Sequence, residues 1–188
     1  MKYFNIWLLS LILLLAGCAT KQNNEAWLTR GTKITLPPPG IAMDIHKQQL
    51  LTTTVKGQQH SLMVLLDANE QEIKLVGLSA IGIRLFTVQY NQQGIQTKQF
   101  IKIAQLPPAP QVLSDIMLSY WPTAVWQNHL PEGWTLTDTE QQRLLKNNKG
   151  ETITEIHYQN QHNKREPVSL KQHYFGYEIT LTNMDDEP

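Results

Sequence analysis

The sequence predicts an α+β fold, one long antiparallel sheet with two short helices gathered on one side of it. Two observations predict it. Segments with a period of two, rich in β-branched and aromatic residues, follow one another between short turns from Gly40 to Ile103 and again from Trp134 to Thr182. Between them, Pro107 to Pro131 switches to helical spacing. No helix alternates with the strands, so a parallel α/β sheet is not expected. A sheet with this many strands does not stay flat.

The chain opens with a basic residue, Lys2, and an apolar run from Ile6 to Leu15, followed by Leu15-Ala16-Gly17-Cys18. This is the pattern of a secretory signal peptide over 1–17, and the run falls short of the roughly 20 apolar residues that span a bilayer. Cys18 is the only cysteine, so export offers it no disulfide partner within the chain. A lone cysteine at the end of such a leader reads as a lipid attachment point. Residues 18–36 are polar, interrupted by Trp27 and Leu28, and read as an acylated N-terminus and tether. Pro37-Pro38-Pro39-Gly40 closes that segment as a stiff extended piece and a turn.

The domain is expected over 37–184. Its first strands read as Leu50 to Val55, Ser61 to Leu66, Ile73 to Leu78, Ile83 to Tyr90 and Ile95 to Ile103, with turns at Lys56-Gly57, Asp67 to Glu70 and Asn91 to Gly94. Phe86, Val88 and Tyr90 share a face with Arg84. In the middle, Leu113, Ile116, Met117 and Tyr120 recur at helical spacing, and Ser114, Asp115 and Ser119 are expected to face solvent. Pro122 stops this helix at Trp121. A second helical piece, Thr123 to His129, carries Val125 and Trp126. Strands resume with Arg143 to Asn147 and Glu151 to Tyr158 around an Asn-Asn-Lys-Gly turn. Gln159 to Glu166 reads as a polar loop, Val168 to Tyr174 and Tyr177 to Thr182 as the last two strands, and 185–188 as an acidic tail.

Composition narrows the function classes. Lys+Arg and Asp+Glu are 16 each, and removing Lys2 with the leader leaves 15 against 16, a formal net of −1. No basic excess argues for nucleic acid or for anionic lipid headgroups. The six histidines (His46, His60, His129, His157, His162, His173) make no tight ligand spacing, and there is no Gly-x-Ser-x-Gly elbow or glycine-rich phosphate loop. Neither an enzyme nor a metal or other cofactor is expected.

Several stretches carry a resemblance. Leu15-Ala16-Gly17-Cys18 resembles the bacterial lipobox, whose cysteine is acylated; Ala19, where an inner-membrane retention signal would place aspartate, implies anchoring to the inner leaflet of an outer membrane. Three acyl chains, as lipobox proteins carry, would hold the chain permanently. Lys74 to Gly82, running into Ile83-Arg84-Leu85-Phe86, looks like the third strand, loop and fourth strand of the LolB family of outer-membrane lipoprotein receptors. Trp126-Gln127-Asn128-His129-Leu130-Pro131 is similar to that family's helix end, and Val168-Ser169-Leu170 and Tyr177 to Leu181 are similar to its last strands. The set Leu36-Pro37-Pro38-Pro39, Gly77-Leu78-Ser79, Ile81 to Phe86, Leu113-Ser114-Asp115 and Tyr120-Trp121-Pro122 looks closer still to a lipoprotein family of unknown function, often encoded beside aryl-polyene or fatty-acid synthesis genes.

The resemblance implies a LolA/LolB-like fold, a half-open antiparallel β-barrel with a short helical lid inserted between the two halves of the sheet. It implies a monomer that holds acyl chains between sheet and lid, with a lipid or lipoprotein as cargo and a LolA-like periplasmic donor as partner. The expected lining is Val64 or Leu65, Phe86, Val88 and Tyr90 from strands, with Leu113, Ile116, Met117, Tyr120 and Trp126 from the helices. Which strand faces point inward stays open, because a one-residue slip inverts them. Ile81, next to Gly82, matches the apolar residue of the LolB loop that the family links to handing cargo into the membrane; it either inserts into a bilayer or tucks beneath its own loop. Ala80 departs from the proline that such loops tend to carry. Two functions follow as expectations: a lipid-handling carrier, or a structural lipoprotein with a filled interior that docks to an envelope assembly.

Overall fold

The computed structural model describes residues 24–42, 44–55, 58–101 and 107–184. Cys18, the leader and the acidic tail lie outside them. Ten strands form one antiparallel sheet. The first half comprises β3 (Ile45–Val55), β4 (Gln58–Ala68), β5 (Ile73–Leu78), β6 (Arg84–Asn91) and β7 (Gly94–Gln99). The second comprises β8 (Thr135–Asp138), β9 (Gln142–Lys146), β10 (Thr152–Gln161), β11 (Lys164–Gln172) and β12 (Tyr177–Asn183). Each half is a meander of neighbours in sequence. The halves are joined in the middle, where β12 pairs with β3 from Glu178↔Thr54 to Asn183↔Gln49. β7 and β8 remain edges, so the sheet does not close into a barrel.

The helices stand between the two halves in sequence: α1 (Ala109–Tyr120) and the one-turn α2 (Thr123–Trp126). Trp121 ends α1 in an extended conformation, as a residue before proline must. Leu113, Ile116 and Met117 face the core as the helical spacing predicts. The solvent face predicted for α1 does not exist. Ser114, Asp115 and Ser119 are as buried as their apolar neighbours, and burial runs unbroken from Gln111 to Ser119.

The reason lies in the segment read as a tether. From residue 24 onward it is a hairpin, β1 (Glu25–Thr29) with β2 (Thr32–Thr35). Ala26, Leu28, Ile34 and Leu36 join the main core, and β1 packs against α1. The helix therefore lies between hairpin and sheet with no free flank, and the folded unit starts well before residue 37. Two further expectations are corrected. Gln159 to Glu166 is no loop: β10 and β11 pair up to Gln161↔Lys164, and the turn is His162 and Asn163, both at positive φ. The Ile95 to Ile103 strand is shorter, since β7 ends at Gln99.

Candidate functional site

The strand faces left open by the pattern are fixed by burial. Leu62, Val64 and Leu66 point inward from β4, while Leu65 on the other face is only half-buried. Phe86, Val88 and Tyr90 point inward from β6. They meet Leu113, Ile116, Met117 and Trp126 in one core, with Tyr120 packed against it. The residues predicted to line a trough are thus brought together, but most of them pack directly on one another.

A cleft survives at the N-terminal end of α1. Its walls are Leu51 and Thr53 of β3, Leu62, Phe86, Pro107, Val112 and Ile179 of β12, and its free volume is about 20 Å³. That admits water but is far too little for an acyl chain. Phe86 is its only wall taken from the predicted lining. Its ring lies flat over Gly77, its cross-strand partner, where a Cβ would sit 2.4 Å from Phe86 Cε1. Glycine at 77 is what lets the ring lie down into the sheet.

The helix is held at its polar points by both halves of the sheet. Asp115 Oδ2 accepts from the Tyr177 hydroxyl at 2.5 Å and Oδ1 accepts from Gln111 Nε2 at 3.2 Å. Burial pushes the Asp115 carboxyl up to about 7, partly offset by those two donors, and pushes the Tyr177 phenol up as well. Gln49 Nε2 donates to the Tyr120 hydroxyl and to Asn183 Oδ1, while Lys47 pairs with the buried Glu166 at 2.8 Å. At the helix end, Arg143 Nη1 donates to the carbonyls of Leu118 and Trp121, and the Tyr158 hydroxyl to that of Ser119. These satisfy carbonyls that a helix C-terminus leaves without partners. Sequence reading named none of these anchors, since a polar residue on a strand carries no mark of pointing inward.

The β5–β6 loop presents Ile81 at 81% exposure. The loop is built rather than slack: Gly82 N–H donates to Ser79 O, Ser79 N–H to Ile83 O, and Ile83 N–H to Ser79 Oγ. Gly82 turns it at φ 77°, a conformation that suits glycine. Ile81 does not tuck beneath its loop. Ile83, Phe100 and Ile101 are exposed beside it, because the backbone N–H groups of Phe100 and Ile101 both donate to Leu85 O and pin that stretch against the start of β6. Phe100 and Ile101 were absent from the sequence-based list.

Among the described residues no helix is long and apolar enough to cross a membrane, and no cluster of His, Cys, Asp and Glu could hold a metal ion. Glu155 accepts from Gln142 Nε2 and lies 3.0 Å from the ring nitrogens of both His157 and His173, a solvent-facing network on the sheet. No curated protein matches the chain. Residues 46–185, β3 through the end of β12, match the family model described as "Protein of unknown function (DUF3261)", and the chain therefore belongs to that family.

Proposed function

We propose that this protein is a non-catalytic lipoprotein of the bacterial envelope, acylated at Cys18, anchored to the inner leaflet of the outer membrane and handling acyl chains as cargo. The observation that carries the reading is the apolar cleft under the start of α1, walled by Phe86, Val112 and Ile179, with Phe86 near the end of β6 that the exposed Ile81 loop enters. A buried methylene gains about 0.8 kcal/mol, so a cleft that widens as Phe86 swings off Gly77 would hold a chain without further chemistry. The resemblance to the LolA/LolB superfamily supports the same reading, with a lipid, polyene lipid or lipoprotein as cargo and a LolA-like protein as donor.

One observation favours a second reading. Among the described residues the predicted lining packs into one core, the cleft leaves only about 20 Å³ free, and exposed apolar side chains gather at the loop. On this reading the protein is a docking lipoprotein of an envelope assembly and carries nothing inside.

Native mass spectrometry of the exported Cys18→Ser chain separates the two. A co-purifying fatty acid or phospholipid that disappears in Val112→Phe, which fills the cleft while circular dichroism confirms the fold, supports the carrier. A folded, empty protein that also ignores added lipid refutes it in favour of docking.

A further inference from the structure

The formal neutrality of the chain hides a local imbalance. Between Ile73 and Ser114 there is no aspartate or glutamate, but Lys74, Arg84, Lys98 and Lys102 are present. Residues 45–66 are likewise free of acids. The nearest carboxylates on the strands beside the β5–β6 loop, Asp67 and Glu72, lie at the far end of β4 and β5, where Ala68 pairs with Ile73. Glu72 is occupied there by Lys74 and Gln89.

The corner formed by Ile81, Ile83, Phe100 and Ile101 is therefore an apolar tip flanked by two exposed cations and no acid. Arg84 follows Ile83 at the start of β6, and Lys98 lies two residues before Phe100 on β7. Four side chains on two short segments fall well below the roughly 800 Å² per partner of a stable protein interface. They suffice for a bilayer, where a few apolar groups enter the acyl boundary and cations meet the headgroups above it.

We propose that this corner docks onto anionic phospholipid headgroups, with its apolar side chains inserted and Arg84 and Lys98 in contact with phosphate. The inference rests on the membrane reading given above and names the lipid class. The surface is that of the chain's own anchoring bilayer. Asn24 lies beside Tyr90 and Gln92 at the other end of β6, roughly 23 Å from the corner at 3.3 Å per strand residue. Six residues from Cys18 to Asn24 can reach at most about 20 Å, slightly less than that separation, so the corner meets the bilayer with β6 tilted rather than upright.

The test uses the full chain reconstituted into vesicles, with a bimane probe at Ile81→Cys and a quencher carried on the lipid. One set is phosphatidylcholine, the other phosphatidylcholine mixed with phosphatidylglycerol. The intact mass is measured first: an unmodified Cys18 refutes the anchoring reading by itself, and the docking measurement then proceeds in a Cys18→Ser background, where the probe is again the only thiol. Expected are quenching in the phosphatidylglycerol vesicles and a docking constant about fivefold lower for each of Arg84→Gln and Lys98→Gln. A probe at Gln92→Cys, on the far end, stays unquenched. Equal quenching in both vesicle types overturns headgroup recognition. No quenching in either, or equal quenching at Gln92, overturns docking altogether. Concentration-dependent shielding of the probe without lipid would assign the corner to a second copy of the chain and overturn the lipid proposal.

Discussion

Tyr177 donates its hydroxyl to Asp115 at 2.5 Å, tying the last strand of the sheet to the buried carboxyl in the middle of a helix. Burial is the dominant influence on that carboxyl and lifts it from 3.8 to about 7. The folded state then holds a proton that the unfolded chain has already released between about pH 4 and 7. Stability is full below pH 4 and falls as pH rises through 7. Asp115→Asn keeps one acceptor oxygen, puts an amide donor where the other stood, to which the Tyr177 hydroxyl can turn its lone pair, and removes the titration. Urea unfolding at pH 5 and pH 8 should show the native protein losing roughly 2–4 kcal/mol across that interval relative to the variant. Parallel pH profiles for the two proteins would contradict the assignment.

Gly77 and Phe86 form a coupled pair. Gly77→Ala places a methyl where the Phe86 ring lies, and relief requires the ring to leave its place. The expected cost is about 1–3 kcal/mol in chemical denaturation. In a Phe86→Leu background the same alanine should cost distinctly less, and a double-mutant cycle measures the difference.

Arg143 is 4% exposed and serves two helix carbonyls and the Asp138 carboxylate at once. Arg143→Met leaves those carbonyls without a donor and Asp138 with Arg165 alone. A loss of roughly 3–5 kcal/mol is expected, seen as a lower thermal midpoint. Arg143→Lys restores the charge but not the fork, so it should recover only part of the loss.

Tyr90 fastens the N-terminal hairpin to the sheet. Its hydroxyl donates to Pro37 O at 2.9 Å, with Leu36 O at 3.3 Å, and burial pushes the phenol up to about 12. Tyr90→Phe should cost about 1 kcal/mol globally. Limited proteolysis should cut within 24–38 sooner in the variant than in the native protein.

The parts of the fold that were legible are those with a local signature. Phe86, Val88 and Tyr90 alternate cleanly, Asn147 to Gly150 is a recognisable turn, and Pro122 stops α1 where it must. The hairpin at 24–36 was hidden by its polar composition, although Ala26 with Leu28 and Ile34 with Leu36 already show the period of two. Asp115 was misplaced because a polar stripe on a helix ordinarily faces water, and nothing nearby in sequence reveals that a second layer covers it. Phe100 and Ile101 were read as strand interior; the shared acceptor at Leu85 that exposes them is a tertiary fact. The pairing of β3 with β12 has no local trace.

That pairing also sets the order in which the molecule can be assembled. Gln49 and Asn183, hydrogen-bonded side by side, are 134 positions apart. Each meander can form as its own residues become available, since its contacts are between neighbours. The seam between them must wait for the last strand and bears the largest loop-closure entropy in the sheet. A nascent chain thus has a bare β3 edge until its C-terminal residues arrive. Loss of even the final few residues of β12 would leave that edge open to pairing with other chains.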